Sequence, residues 1–308
     1  MRIWSAVCGF IWVARSRAKV GHSFGVISPK TPPVDSVCDE WTAWIPPSTE
    51  PAIVMQAVSI GFMPMEKNFI RLMEANSRFS RENIYLLCLD EKSELEVEKM
   101  GFHCVSIVNH CEHDIQFVWK LRVKVLSCLL EAGHNVIISD SDALWLKDPL
   151  QDLESPLARG SGIVASRGNG PEQFRQRWGS ALCMGFILFR AGPCMETVLA
   201  SINQFVVQTG SDQASVNFAL DKSGVKWEGS SDMAYTSTEF SRGMVGNGGE
   251  CDLNVTLLPH NKYTRFCKDS PITPTTVVAH CRAKQGNSAV KTEWMVEASL
   301  WDVDDDVV

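Results

Sequence analysis

The chain has 308 residues, 45% of them hydrophobic and 21% charged, with a formal net charge of -7. This length fits one large domain or two small ones, and the apolar share suffices for a sizeable core. No Lys/Arg-rich stripe is present, which argues against a nucleic-acid partner.

Residues 3–14 are apolar, with Arg2 before them and Arg15, Arg17 and Lys19 after. About twelve residues are too few to span a bilayer, which needs ~20. The segment 1–19 reads as a signal peptide or a short membrane anchor, although the basic excess behind it opposes export of the C-terminal part. Residues 20–51 read as a Pro-rich linker, with Ser28-Pro29, Thr31-Pro32-Pro33 and Pro46-Pro47 and no apolar period. The folded domain is expected over 52–303, followed by an acidic tail at 304–308.

A β-branched run at 52–60 predicts a buried strand. Met65, Phe69, Leu72, Met73 and Ala75 have helical spacing within 64–79, with Pro64 near the start. A strand at 84–89, a helix at 92–100 stopped by Gly101, and a strand at 103–108 follow. The clearest helix is 115–132, where Ile115, Val118, Trp119, Val125, Leu126 and Leu129 form one stripe and Gly133 is a natural cap. A strand at 136–139 comes next. Later strands are expected at 162–166, 185–190, 255–258 and 276–279, and helices at 193–207 and 213–220. The stretch 228–250 reads as a long loop. Alternation of this kind predicts an α/β fold with a mostly parallel sheet covered by helices on both faces.

The 11 cysteines include no CxxC pair, which speaks against a structural zinc site. Cys88, Cys104, Cys128 and Cys183 sit in apolar runs and read as small buried hydrophobes. Cys251, Cys267 and Cys281 lie in the polar C-terminal part and are the disulfide candidates, with pairing left open. One sequon, Asn254-Val255-Thr256, is compatible with a lumenal chain.

Chemistry concentrates where the strand 136–139 runs into Asp140-Ser141-Asp142. Ligands of open α/β sheets bind at the carboxyl ends of strands. In extended chain, residues two apart point the same way, so Asp140 and Asp142 are expected to face together with Ser141 turned away. Two carboxylates this close repel unless a cation intervenes. Hard oxygen ligands suit Mg²⁺ or Mn²⁺, which keep positions open for substrate phosphates. Asp148 before Pro149 reads as a turn former rather than a ligand.

The wider pattern of Trp119-Lys-Leu-Arg-Val-Lys124, Leu129 through Gly133, and Val136 through Asp140-Ser141-Asp142, Trp145 and Asp148-Pro149 resembles the nucleotide-diphospho-sugar transferase domain family. That family includes plant and algal arabinosyl-, xylosyl- and galactosyltransferase-like proteins. Met184-Gly185-Phe-Ile-Leu-Phe-Arg190, Ser211-Asp212-Gln213 and Val277-Val-Ala-His280 are similar to its later segments, in the same order, and Trp301 to its closing Trp. The chain departs from the pattern at Ser211, where the family has Trp, at Ser141 between the acids, and at Gly286, which stands later after His280 than usual.

The resemblance implies a Rossmann-like GT-A fold, a nucleotide-diphosphate sugar as donor, Mn²⁺ or Mg²⁺ as metal, and a glycan or glycoprotein as acceptor. Asp140 and Asp142 are then the metal ligands and His280 the third. Lys120 or Lys124 is a candidate for the diphosphate, and a solvated basic face is the alternative for both. Asp212 and Gln213 are expected on sugar or acceptor hydroxyls, with an N-cap role for Asp212 left open. The fold places the first strand, with Ser59 and Gly61 at its end, under the nucleotide. Retention of configuration is implied, with Asp212 as first candidate nucleophile. Two other readings of Asp-x-Asp stay open: a HAD-like phosphohydrolase with Asp140 as nucleophile, and a non-catalytic module that binds a nucleotide-sugar or glycan. The expected location is the Golgi or another secretory-pathway lumen, with membrane association through the N-terminus.

Overall fold

In strand β1 (Ile53–Val58), side chains alternate between two buried faces: Ile53 and Met55 enter one core, Val54 and Val58 the other. That pattern requires cover on both sides, and the rest of the chain supplies it. The computed structural model describes residues 38, 42, 45, 52–102, 104–106, 115–227, 244–248, 251–265, 272–280 and 288–303.

Helix α1 (Met63–Asn76) follows β1, with Pro64 in its first turn, and buries Met65, Phe69 and Met73 at i, i+4 and i+8. Strand β2 (Ile84–Cys88) leads to helix α2 (Glu91–Lys99), whose start is fixed by a capping box between Asp90 and Ser93. Strand β3 (Cys104–Ser106), helix α3 (Ile115–Glu131) and strand β4 (Val136–Ser139) come next. After the acid pair the chain forms β5 (Ala143–Trp145), α4 (Leu150–Ala158), β6 (Ser161–Gly168), α5 (Glu172–Trp178) and β7 (Ala181–Phe189). Helices α6 (Pro193–Thr209) and α7 (Asp212–Lys222) precede four short strands, β8 (Lys226–Trp227), β9 (Met244–Asn247), β10 (Asn254–Leu257) and β11 (Tyr263–Thr264). Strand β12 (Val278–His280) and helix α8 (Ser288–Glu297) complete the described elements.

Nine strands form one sheet in the order β3-β2-β1-β4-β7-β6-β10-β9-β8, and β11-β12-β5 form a second, small sheet. In the large sheet β7 and β9 run against the other seven strands. The parallel character expected from the sequence therefore holds, and β7 is the reversed strand in its centre. One core lies between the sheet and α3, α6 and α7; the other lies under α1, α4 and α8. This is the α/β architecture with helices on both faces that the sequence predicts.

Several expectations need correction. Helices α4, α5 and α8 were not foreseen, nor were β5, β8, β9 and β11. Each is short, carries a breaker, or lacks an apolar stripe: Pro156 sits inside α4, and only Met295 is buried on α8. Strand β9 falls within the stretch read as a loop; residues 228–243 of that stretch lie outside the described residues. Ile115 does not join the α3 stripe but is exposed, because the buried face of the helix begins only at Leu121.

Cys88, Cys104 and Cys128 are not lone hydrophobes. They form the disulfides Cys88–Cys104 and Cys38–Cys128, and a third links Cys194 to Cys251. Adjacent parallel strands β2 and β3 pair Cys88 with Ser106, so Cys104 comes within reach of Cys88. Cys183 is free and buried. Cys267 and Cys281 lie outside the described residues. Cys38 and Ile45 pack on the first core, so the segment read as a linker touches the domain at these points. The sequon sits within paired strand β10, and the Thr256 hydroxyl is committed to Ser161 at 2.8 Å. Among the described residues no helix is long and apolar enough to cross a membrane.

Beneath the acid pair, Glu66 of α1 has no exposed surface. Burial pushes its carboxyl up to about 7. The Ser141 hydroxyl opposes this, but neither carboxyl oxygen reaches hydrogen-bonding geometry with a partner, so burial dominates. The folded state thus holds this proton more tightly than the unfolded chain. The resulting penalty is absent below about 4.5, grows with rising pH, and is complete above about 7. Its size is on the order of 3 kcal/mol. Glu66→Gln is expected to flatten the fall of melting temperature between about pH 5 and 8; parallel pH profiles for variant and parent would refute this.

Candidate active site

Strand β4 ends at Ser139, and its pairing with reversed strand β7 continues one residue further, where the Asp140 amide donates to the Gly185 carbonyl at 2.9 Å. The chain then turns: the Ala143 amide donates back to the Asp140 carbonyl at 2.8 Å. Asp140 and Asp142 therefore meet across a tight turn, not along an extended strand as the sequence suggested. Ser141 does point away, buried on the Glu66 side. Beyond the turn, Trp145 anchors β5. It packs edge-on against Phe69, Phe79 and Phe186, with centroids 5.8, 5.7 and 6.0 Å away, and its indole N–H donates to Ser139 Oγ at 3.2 Å. Asp148 accepts from the Leu150 amide at 2.9 Å, the turn role predicted for it.

His280 arrives from the small sheet. Antiparallel pairing of β12 with β5 sets it directly opposite Ala143, beside Asp142. Its Nε2 lies 3.2 Å from Asp142 Oδ1 and 3.6 Å from Asp140 Oδ2. One ligand atom from each of Asp140, Asp142 and His280 falls within 4.8 Å of the others. Gly185 leaves the space in which they gather. A Cβ there would stand 2.0 Å from His280 Cε1 and 2.6 Å from Asp140 Oδ2. Two carboxylates, one imidazole and a hollow without a side chain fit a divalent cation with open positions.

Basic groups surround this cluster. Arg122 of α3 is buried and donates both to Asp140 and to Asp212, the latter from Nε at 2.7 Å. Lys291 of α8 donates to Asp142 Oδ2. Arg265, following β11, brings Nη1 to 2.8 Å from His280 Nδ1 and 3.2 Å from Nε2. Cys183 Sγ lies 3.7 Å from His280 Nδ1. Burial alone would raise the Asp142 carboxyl, but His280 and Lys291 outweigh it and hold the group well below the usual range. Burial opposes charge on His280, yet the Asp142 carboxylate draws its imidazole up to about 9. Burial raises Asp212 in spite of Arg122. Burial would likewise raise the Cys183 thiol, but Arg265 and His280 bring it down to about 7.

Asp140, Asp142 and His280 are thus brought together as expected, and Asp212 joins them through Arg122. Helix α7 is capped by Ser211, whose hydroxyl accepts from the Ala214 amide, so Asp212 stands one residue inside the helix and the N-cap alternative for it falls away. Gln213 turns to the Gly170 carbonyl at 2.7 Å. The basic group that α3 presents here is Arg122. Lys120 and Lys124 flank it by two residues, about 200° around the helix, with Lys120 exposed. Ser59 and Gly61 lie just past the end of β1, which pairs with β4, so they share the sheet edge with Asp140. Sequence reasoning missed Arg122, Lys291, Arg265 and Gly185 as site residues.

The hollow at Gly185 has a direct test. Gly185→Ala is expected to weaken Mn²⁺ binding at least about tenfold in a metal titration, with the melting curve checking that the fold persists. Undiminished affinity in a folded variant would show that the hollow is not needed for the metal.

Residues 80–288 match the nucleotide-diphospho-sugar transferase family. Uncharacterized protein At1g28695 of Arabidopsis thaliana is 26% identical over 208 residues, 66% of this chain and 51% of that protein. The chain therefore spans about half the length of this curated relative. Among solved structures, the glycosyltransferase GlyE of Streptococcus pneumoniae TIGR4 aligns with TM-score 0.44 and 12% identity over 82% of this chain and 65% of that one. The galactosyltransferase LgtC, solved in complex with donor and acceptor sugar analogs, aligns with TM-score 0.43 and 13% identity over 82% of this chain and 98% of that one. Mouse xyloside xylosyltransferase 1 aligns with TM-score 0.36 and 13% identity over 56% of this chain and 82% of that one. The family match takes in well over half of the chain, including the acid turn, Arg122, Gly185, Asp212 and His280. On this ground the chain belongs to the nucleotide-diphospho-sugar transferase family of glycosyltransferases.

Proposed function

We propose that the protein moves a sugar from a nucleotide-diphosphate donor to a glycan or glycoprotein acceptor, with a divalent cation held by Asp140, Asp142 and His280. The observation that carries this reading is the meeting of those three side chains from two separate sheets around the hollow at Gly185. The donor set suits Mn²⁺ or Mg²⁺. A cation there supplies Lewis-acid neutralisation of the departing nucleoside diphosphate.

The protein's own groups do the rest. Arg122 braces Asp140 against Asp212, so the metal turn and the start of α7 keep one spacing. Asp212, almost fully buried, is the carboxylate available for a sugar hydroxyl or, in a retaining reaction, for the anomeric carbon. Gln213 ties the start of α7 to Gly170 and so positions Asp212. Lys291 takes the diphosphate role first sought in Lys120 and Lys124, because its ammonium already faces the acid turn. Ser59 and Gly61 border the nucleotide side. The three disulfides support an oxidising compartment, and hence the Golgi or another secretory-pathway lumen, with membrane association through the N-terminus. Family membership leaves the phosphohydrolase reading of Asp140 without support.

Incubation of the purified chain with a panel of nucleotide sugars, with Mn²⁺ or with EDTA, tests this. Release of nucleoside diphosphate is expected with at least one donor, only with metal, and reduced about 100-fold or more in Asp142→Ala. Metal-dependent donor binding without turnover in the presence of acceptor glycans would instead identify a non-catalytic binding module. Release that survives EDTA would overturn the metal role.

A further inference from the structure

Strands β6 and β7 pair in register from Ile163↔Phe189 to Ala165↔Ile187, and again at Arg167↔Leu182 and Gly168↔Ala181. Between these stretches Cys183, Met184, Gly185 and Phe186 stand opposite Ser166 alone. Strand β7 therefore bulges here, and bulges re-aim side chains beside active sites. This bulge carries Gly185, whose missing side chain leaves the hollow, and Cys183, 3.7 Å from His280. One end of it is tied to the acid turn. Phe186 pairs with Ser139, and the Gly185 carbonyl accepts from the Asp140 amide.

The other end is held by a side chain that sugar transfer as proposed leaves unused. Asn217 of α7 is fully buried. Its Oδ1 accepts from the Leu182 amide at 2.9 Å, and its Nδ2 donates to the Leu182 carbonyl at 3.1 Å. One carboxamide thus meets both backbone groups of Leu182, as a neighbouring strand would. The second Nδ2 hydrogen goes to the Gln213 carbonyl at 2.7 Å, in the first turn of α7. Asp212 stands in that same turn. Gln213 Nε2 holds the turn to the Gly170 carbonyl, but Asn217 is what bonds it to β7. The bulge under the hollow and the turn that carries Asp212 are thereby joined through one amide.

We propose that Asn217 is a positioning residue for sugar transfer, which sets the place of Asp212 relative to the hollow and touches neither substrate nor metal. This rests on the proposed transfer and on Asp212 as the group that meets the sugar. The metal side does not need Asn217. Asp140 follows β4, Asp142 precedes β5, and His280 is set by the pairing of β12 with β5. Gly185 keeps its own bond to the Asp140 amide. Without Asn217, Arg122 still grips Asp212, but through a long side chain from another helix. Chemistry tolerates such slack far less than binding does, since a misplacement of about 1 Å can cost on the order of 100-fold in rate. Loss of Asn217 should therefore act on kcat and spare KM and metal affinity.

The test compares the parent chain with Asn217→Ala, Asn217→Ser and Asn203→Ala. Asn203 ties α6 to Ser127 Oγ of α3 at 2.9 Å, further along that helix than Arg122, and controls for loss of an amide bridge between elements. Each variant is assayed below its own melting temperature. With Mn²⁺ and a nucleotide sugar that the parent turns over, kcat for nucleoside diphosphate release is expected to fall about 10- to 100-fold in Asn217→Ala. Donor KM, and Mn²⁺ affinity read from the free-ion paramagnetic resonance signal, are expected to stay within about threefold. Asn217→Ser, the milder change should the alanine variant not fold, keeps a hydroxyl for Leu182 or Gln213 and is expected to show the same split at smaller size. Asn203→Ala is expected to keep the parental kcat. An unchanged kcat in the folded Asn217 variants, a matching fall in Asn203→Ala, or a loss of Mn²⁺ affinity alongside kcat would overturn the positioning role and leave the transfer reading standing. A parent chain that releases no nucleoside diphosphate from any donor would bring down the transfer reading and this role together.

Discussion

The turn from Asp140 to Ala143 belongs to two sheets at once, and the site depends on both holding it. On one side the Asp140 amide extends the pairing of β4 with β7; on the other, β5 hands the chain to β12. Neither sheet alone gathers the three ligands. The large sheet contributes an edge where strands end, which is where open α/β folds place their ligands. The small sheet contributes His280 at a position fixed by register. Trp145, locked among three phenyl rings and bonded to Ser139, keeps the two sheets from sliding past each other at the turn.

Such a turn concentrates charge where water is scarce. Asp142, Asp212, His280 and Arg122 are all buried, and a buried charge with one partner removed is strongly unfavourable. Every acid of the cluster has a basic partner: Arg122 for Asp140 and Asp212, Lys291 for Asp142. These partners come from helices on opposite faces of the sheet, α3 and α8. The cluster is thereby a cross-brace through the fold as well as a place for chemistry. A metal entering it exchanges one set of counter-charges for another and does not create a charged site from nothing.

Much of this could be read from residues, and the reasons for the rest are physical. Strands of the parallel half and the long helices α1, α3 and α6 announce themselves by period and by Pro and Gly at their ends. The acid pair stood out because an apolar strand ran into it. His280 came from the family pattern, since pairing of β12 with β5 leaves no local trace. Arg122 had a local trace that was overlooked: it stands at i+4 from Val118 and precedes Val125, Leu126 and Leu129 on the same stripe, so a charge there has to be buried and partnered. Lys120 and Lys124, which drew attention, flank that stripe on its wet side. Lys291 was hidden because α8 shows no amphipathic pattern, and Arg265 because a single arginine after a two-residue strand carries no pattern at all. Ser211, which looked like a defect against the family pattern, is the cap of α7.

Cys128 lies on α3, six residues beyond Arg122, and its partner is Cys38 in the Pro-rich stretch ahead of β1. The closed loop of 90 residues ties the helix that holds the acid cluster to chain that composition alone would discard as a tether. Trimming the protein to its compact-looking domain would strand a thiol on that helix and free the loop's unfolded ensemble. What reads as a dispensable linker is, at one sulfur atom, part of the frame around Asp140 and Asp212.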